Sequence, residues 1–229
     1  MNGRHPIYNY LLTLNNHISR RASQMKKLID ISLKKQPKQQ RALATVGAIV
    51  EAATYILRDE GPRGFTANKV VERAGVNIAS FYQYFPNKEA LLFHVAQLTW
   101  ERQLAQLTPI LTRPGPDHAG KLRDFIRAFF LIEAQEADLR QALAIAAVDL
   151  SKTAQFQALI GQGKALMKSF VEAAVGSHDA ANIDFNVDFI VALVTSLAER
   201  TTDGGASGEL LMRQADLLSA MLIGHFKIR

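Results

Sequence analysis

The side chains best suited to molecular recognition in this sequence lie between residues 66 and 85. They include amides, hydroxyls and phenols, which form hydrogen bonds with nucleic-acid bases and phosphate oxygens. The residues expected to point outward are Asn68, Asn77, Ile78, Ala79, Ser80, Tyr82, Gln83 and Tyr84. Because this face has no carboxylate, it can lie against a polyanion without charge repulsion.

Two short predicted helices position this face. One covers residues 67–74 and the other runs to Phe85, with Thr66 and Asn77 as suitable N-caps. The turn between them contains Gly75, which supplies the positive φ that a tight turn requires. The residues expected to point inward are Val70, Val71, Val76, Phe81 and Phe85. This arrangement is typical of a helix-turn-helix, whose second helix enters the major groove of DNA.

Residues 42–95 resemble the DNA-binding domain of the tetracycline-repressor (TetR) family of transcriptional regulators. The resemblance rests on Phe65-Thr66, Val71, Ala74-Gly75-Val76, Phe81-Tyr82 and Tyr84-Phe85-Pro86-Asn87-Lys88-Glu89-Ala90-Leu91-Leu92. Val71, Asn77 and Tyr84 depart from the usual family residues. The resemblance implies a three-helix head that binds DNA and a six-helix body that binds a ligand and dimerises.

The resemblance also implies a role for each matching position. The implied phosphate contacts are Thr66, Tyr82, Tyr84 and Lys88, and the implied base-facing residues are Asn68, Ile78, Ala79, Ser80 and Gln83. Gln83 is able to pair with adenine, and Ile78 or Ala79 is able to contact a thymine methyl group.

The apolar pattern from Arg41 onward is helical, so we predict an all-α fold of about nine helices. The predicted helices are 40–60, 67–74, 77–85, 88–107, 121–135, 138–149, 152–175, 183–203 and 206–226. A Pro- and Gly-rich loop is expected at 108–120. The predicted units are a basic flexible arm (1–39), a helix-turn-helix domain (40–95) and a ligand-binding and dimerisation domain (96–229).

The positive charge is concentrated at the amino end. The net charge is +6, but residues 1–41 contain nine basic residues and one acid, so the remainder is slightly acidic. A basic arm favours a polyanionic partner, nucleic acid or an anionic membrane surface. The alternatives are a solvated tail, a targeting segment, or an extension upstream of a true start at Met25.

Composition argues against several classes of protein. The absence of cysteine excludes disulfides and thiolate chemistry, and no Glu lies three residues before any of the six His. We therefore expect no metal, no cofactor and no catalytic residue. The longest apolar stretches, such as residues 142–148, are too short to span a membrane, so we expect a cytoplasmic protein without a membrane partner.

The body is expected to form two further sites. Its last two helices carry more apolar residues than one packed face needs, which predicts a homodimer through a four-helix interface. The interface prediction comprises Phe189, Leu193, Leu197, Leu210, Leu211, Leu217, Leu218, Met221 and Leu222. The predicted cavity for a small effector, apolar with a few polar anchors, comprises Trp100, Phe125, Phe129, Glu133, Asp149, Phe156 and Phe170.

These patterns together predict a homodimeric regulator that binds a palindromic operator in double-stranded DNA and is released by a small, largely apolar effector. Repression is the expected outcome. The alternative is an architectural protein that uses the same helix-turn-helix without regulation. Selective binding to one short palindrome would favour the regulator, and uniform binding to any duplex would favour the architectural protein.

Overall fold

The computed structural model describes residues 29–175, 180–206 and 208–229, and the fold in these ranges is all-α, as predicted. Nine α-helices follow one another there without a strand. They are α1 (Gln40–Asp59), α2 (Ala67–Ala74), α3 (Ile78–Tyr84), α4 (Lys88–Thr112), α5 (His118–Gln135), α6 (Ala137–Ala146), α7 (Ala154–Val175), α8 (Ala180–Asp203) and α9 (Gly208–Phe226). Short 3-10 helices occupy Pro62–Gly64 and Leu150–Lys152.

The helices α1, α2 and α3 form the head. Helix α1 packs on α2 and α3 through one apolar face, which buries Ile49, Ala53, Ile56 and Leu57. It ends before Gly61, whose φ of 71° turns the chain into the first 3-10 helix. The head is therefore built around one side of a single long helix.

The predicted loop at 108–120 is wrong in its first part, because helix α4 continues into it. The helix continues through Pro109 to Thr112, five residues beyond the predicted end. Leu107 and Leu111 are both buried, so extending the helix by another turn places a second leucine in the core. Pro109 and Ala105 are exposed, so water can reach the carbonyl group whose helical hydrogen bond the proline removes.

Two of the other boundaries that differ from the predictions have a local cause in the structure. Helix α5 begins at His118 because Asp117 caps it, with the Asp117 Oδ1 accepting a hydrogen bond from Gly120 N at 2.7 Å. Helix α6 ends at Ala146, and the chain continues into the 3-10 helix that buries Leu150. The tighter turn rotates the chain so that Leu150 faces the core.

Two apolar clusters form the interior. The body cluster joins α4, α5, α7, α8 and α9, with α5 packed against α4, α8 and α9. The head cluster joins the head to the first turns of α4 and to α6, through Leu139, Ala142, Ala147 and Leu150. Helix α6 therefore belongs to the core of the head, although it lies in the predicted body.

Residues 29–39 lie against the head. Ile31 is 2% exposed and belongs to the head cluster, and Asn87 Nδ2 donates a hydrogen bond to Asp30 O at 2.9 Å. This part of the predicted arm is docked, where the sequence predicted a flexible chain. The questions about a targeting segment and a start at Met25 concern residues outside the described ranges.

Two features are absent from the described residues. No helix in these ranges combines the length and the apolar character needed to cross a bilayer. In the same ranges, no three His, Asp or Glu residues are grouped as a metal ion would require.

Candidate nucleic-acid interface

Three side-chain caps fix the helices of the predicted interface. Thr66 Oγ1 accepts from Lys69 N at 3.3 Å, Asn77 Oδ1 from Ser80 N at 2.7 Å, and Asn87 Oδ1 from Ala90 N at 2.7 Å. Gly75 adopts a φ of 65° at the end of α2, as the turn between the helices requires. The caps satisfy amides that would otherwise lack a partner at the start of α2, α3 and α4.

The inner side of α2 and α3 packs on α1. Val70, Val71, Phe81 and Phe85 are buried, and the ring centroids of Phe81 and Phe85 lie 5.6 Å apart. The prediction of this inner side is confirmed for these four residues, and Val76 is partly buried against the same cluster.

The outer side of the motif exposes most of the residues predicted to contact DNA. The exposed set is Thr66, Asn68, Asn77, Ile78, Ala79, Tyr82, Gln83 and Lys88, and Ser80 is partly buried. The ring of Tyr82 meets the edge of Phe81 at a centroid distance of 5.1 Å, which holds the phenol at the surface of α3. The predicted side chains thus share one accessible surface, and their contacts with DNA stay predictions.

Tyr84 is the exception, and the prediction that it points outward is wrong. Its side chain is 6% exposed and belongs to the head cluster. Tyr84 lies three residues after Phe81 and directly before Phe85, so the helical repeat places it on the buried side of α3. Aromatic character at the end of α3 did not distinguish a phosphate contact from a core residue.

The docked arm extends this surface, a feature that the sequence pattern did not predict. Lys34 N donates to Tyr84 O at 2.9 Å, and Lys34 Nζ donates to Tyr82 O at 3.1 Å. Both carbonyls belong to the last turn of α3, where helical partners are missing. The arm therefore caps α3 and brings the exposed Lys35 and Lys38 to the same region of the head.

Two contacts hold α2 on the solvent side. The Arg73 guanidinium lies 3.1 Å from the ring centroid of Tyr55 on α1, and Lys69 Nζ lies 2.6 Å from Glu60 Oε2. Both contacts connect α2 with the carboxyl-terminal half of α1 or the residue that follows it. The ion pair with Lys69 neutralises the carboxylate of Glu60.

The seven residues of the predicted effector cavity are divided among different environments. Phe125, Phe129 and Phe170 are buried in the body cluster, whereas Phe156 packs against the head cluster. The Trp100 ring lies against Gly163, where an added Cβ would be 2.8 Å from Cζ2. Phe156 therefore packs on a different cluster from the three buried phenylalanines.

Asp149 is exposed, so the prediction that it is a polar anchor inside an apolar cavity is wrong. The next residue, Leu150, is buried, and the turn that brings it inward directs Asp149 to solvent. A single sequence position separates the residue in the core from the one in water.

Glu133, a predicted polar anchor of the cavity, is buried and faces an arginine. Its side chain is 5% exposed, and its Oε2 lies 2.8 Å from Arg140 Nε. Burial raises the pKa of Glu133 to about 7, outweighing the attraction of Arg140. Arg140 also pairs with Asp203, so its charge is shared between two carboxylates. Burial likewise raises the pKa of Glu199 beside them.

This cluster continues to the head. Glu136, between α5 and α6, pairs with Arg58 near the end of α1, and it lies 3.7 Å from Arg102 of α4. The charges connect α1, α4, α5, α6 and α8 at the boundary between head and body.

The predicted dimer interface separates into two sets. Leu211, Leu218 and Leu222 are buried in the body cluster, so their assignment to an interface is wrong. They are the stripe of α9 that packs on α5. Leu193 and Leu197 are partly buried against the same cluster.

The second set is exposed, and its interface role stays a prediction. Leu217 is 63% exposed and Met221 61% exposed on α9, while Leu210 and Phe189 are about half exposed. Phe185, which the prediction omitted, is also exposed and stacks on Phe189 with centroids 6.4 Å apart. Its spacing of four residues before Phe189 was the signal that could have identified it.

Comparison with known proteins agrees with this architecture. A family model of bacterial regulatory proteins, tetR family, matches residues 49–95. The chain is 32% identical to the HTH-type transcriptional regulator CymR of Pseudomonas putida over 44% of its own length and 51% of that protein. It thus spans about half the length of this curated relative.

Solved structures share the fold along most of the chain. The fatty acid degradation regulator FadR of Bacillus halodurans superposes with a TM-score of 0.65 at 16% identity, covering 86% of this chain and all of that one. The transcriptional regulator FadR of Bacillus subtilis, in complex with stearoyl-CoA, gives 0.58 at 13% identity, covering 77% and 97%. Residues 49–95 are thus similar to the bacterial regulatory proteins of the tetR family, and the fold of the chain is shared with solved transcriptional regulators.

Proposed function

We propose that this chain is a sequence-specific DNA-binding transcriptional regulator and that α3 is its reading helix. The observation that carries the proposal is the exposed, carboxylate-free face of α3, on which Ile78, Ala79, Tyr82 and Gln83 are accessible together. The proposed function includes no enzymatic activity, and a regulator of this kind would act in the cytoplasm. Base reading would come from Gln83 and its small neighbours, because amide and methyl groups distinguish base pairs in the major groove.

The phosphate contacts of this proposal surround the reading helix. Thr66 and Lys88 lie at the amino ends of α2 and α4, where backbone amides and the helix dipole favour an anion. Tyr82 is exposed beside them, and Lys35 and Lys38 of the docked arm add positive charge. These groups position the protein on DNA without selecting a sequence.

The active form would be a homodimer joined through the exposed stripes of α8 and α9. Phe185, Phe189, Leu217 and Met221 are large apolar side chains that remain exposed after the body has packed. A symmetric dimer reads two half-sites related by a two-fold axis, so the proposed operator is palindromic.

Regulation would act by changing the separation of the two heads. A small, largely apolar effector bound in the body would favour one separation, and it must bind that state more tightly to shift the equilibrium. Helix α4 runs from the head into the body, and α6 packs in the head cluster. Both helices would transmit a displacement from the body to the head. If the effector releases the protein from the operator, the protein acts as a repressor.

The test is selection of duplexes from a random pool, followed by affinity measurements on the selected site. We expect one palindrome with two equal half-sites. Gln83→Ala should cost about 1–3 kcal/mol at one base pair of each half-site and relax the preference there. Lys88→Ala should weaken binding to all duplexes and reduce the salt slope by about one unit.

The competing function is an architectural DNA-binding protein with the same head. It predicts no enriched palindrome and no difference between Gln83→Ala and the unmodified chain on any duplex. Unchanged preference in Gln83→Ala on a selected site would separately exclude Gln83 as a base-reading residue.

A further inference from the structure

A cleft lies at the end of the body where α4 ends, α5 begins and α7 passes. Its volume is about 270 Å³. Leu111, Leu166 and Phe170 form apolar parts of its wall, and Arg113, His118 and Lys121 form polar parts. Of the residues predicted to surround an effector, Phe170 is the one found in this wall, so the cleft is not the predicted cavity.

Lys121 is the unusual residue of the wall. It is 5% exposed, and its Nζ donates one hydrogen bond, to Gly115 O at 2.6 Å. An ammonium group has three donors. Within residues 29–175, 180–206 and 208–229, no carboxylate lies within 4.0 Å of this nitrogen. A buried cation without a counter-ion is costly, and an anion in the cleft would remove that cost.

The acidic residues nearest in the chain have other partners. Asp117 caps α5 through Gly120 N, and Asp124 Oδ2 lies 2.7 Å from Arg113 Nη1. The first amides of α5 are also occupied, because His118 N and Ala119 N donate to Arg229 O at 2.8 and 3.2 Å. The attraction for an anion therefore comes from the buried ammonium group and not from the end of the helix.

His118 adds a polar atom to the same wall. Its ring meets the edge of the Phe170 ring at a centroid distance of 5.9 Å, and its Nδ1 is buried without a hydrogen-bond partner among the described residues. The wall thus combines an apolar surface with a cation.

We propose that this cleft binds a small organic anion, with its carboxylate or phosphate group paired with Lys121 and its apolar part on Leu111, Leu166 and Phe170. At about 30 Å³ for each water-sized group, the cleft holds about nine non-hydrogen atoms, a charged group with a chain of about six carbons. The ligand class proposed for the body rests on the proposed regulatory function. Binding of the anion is measured without DNA, so either proposal can fail while the other stands.

The experiment is titration calorimetry of the full chain with three probes of equal chain length: hexanoate, hexyl phosphate and hexan-1-ol. We expect saturable binding of at least one anion, and at least about tenfold weaker binding of the alcohol, because a charge-assisted hydrogen bond is lost. The stronger of the two anions identifies the charged group as carboxylate or phosphate.

Two variants locate the site. Lys121→Met should weaken binding of the anion at least about tenfold and leave the melting temperature unchanged or higher, because an unpaired buried charge is removed. Ala173→Phe changes an exposed wall residue without changing charge, and it should block binding by filling the cleft. Lys152→Gln, which removes an exposed charge outside the cleft, is the matched control and should bind normally.

Three results would overturn the proposal. They are the absence of saturable binding by both anions, equal affinity for the stronger anion and hexan-1-ol, and unchanged affinity in Ala173→Phe. If Lys121→Met fails to fold, Ala173→Phe decides the matter alone. Binding of an anion that leaves operator affinity unchanged would retain the site and remove its regulatory role.

Discussion

The head and the body leave opposite kinds of surface after their cores have formed. In the head, α3 buries Phe81 and Tyr84 and leaves a face of Ile78, Ala79, Tyr82 and Gln83 that combines hydrogen-bonding groups with small apolar ones and has no carboxylate. In the body, α9 buries Leu211, Leu218 and Leu222 and still exposes Leu217 and Met221. The carboxylate-free face of α3 suits a polyanion, and the apolar face of α9 suits another protein surface. The chemistry left outside each core thus indicates a different class of partner.

The largest effect should come from the two stripes of α9. Leu218→Glu places a carboxylate in the body cluster and should destabilise the chain by at least about 4 kcal/mol. Leu217→Glu with Met221→Glu should leave folding intact and give monomers, because both side chains are exposed. Urea unfolding and sedimentation velocity measure the two outcomes.

Ile145→Glu is the matched control for this comparison, since Ile145 is 65% exposed on α6. It should change neither stability nor association. A folded dimer in Leu217→Glu/Met221→Glu would show that the exposed stripe of α9 is not the interface.

The second effect concerns the docked arm. Ile31→Ala removes a buried side chain from the head cluster and should cost about 2–4 kcal/mol of head stability. It should also weaken DNA binding, because the arm caps the last turn of α3. Thermal unfolding and operator affinity test this, with Ile29→Ala, an exposed neighbour, as the control. Equal stability of the two variants would show that the arm does not support the head.

A third effect concerns the ion pairs at the boundary between head and body, where Glu133 lies beside Arg140. The pKa of Glu133 is raised from 4.5 to about 7, so the folded chain holds a proton that the unfolded chain releases between these pH values. Stability from this group is therefore present below about pH 4.5 and lost as the pH rises through 7. Glu133→Gln should gain about 1–3 kcal/mol relative to the unmodified chain between pH 5 and pH 8.

Urea unfolding at both pH values measures this difference. Glu136→Gln is a control at the same boundary, because it removes a more exposed carboxylate that pairs with Arg58. A constant difference between Glu133→Gln and the unmodified chain at pH 5 and 8 would contradict the raised pKa.

The smallest effect concerns the charge of the arm. A chain starting at Met25 should bind the operator nearly as well as the full chain, and Lys35→Ala with Lys38→Ala should reduce the salt slope by about one to two units. A chain starting at Arg41 should lose both this charge and the Ile31 anchor, so it should bind more weakly with a shallower slope. Equal salt slopes for all of these chains would leave the arm without a role in DNA binding.

The sequence by itself determined the all-α class, the caps of the head and the inner side of its motif. It did so because α2 and α3 are short and each has one apolar side, so Val70 and Phe81 must face the core. Tyr84 was missed because an aromatic residue with a hydroxyl suits either side of a helix. Local pattern was sufficient where one face was apolar and insufficient where residue chemistry suited both.

Only the tertiary structure decided which apolar stripe of α9 is core. Leu217 and Leu218 are chemically identical neighbours, and their environments differ because α5 packs against one side of the helix. The same holds for the arm on α3, for α6 in the head cluster and for the buried Lys121, since each depends on residues distant in the chain. Periodicity fixes the angle between side chains around a helix, whereas the neighbour that covers one of those angles is set by the packing of the whole fold.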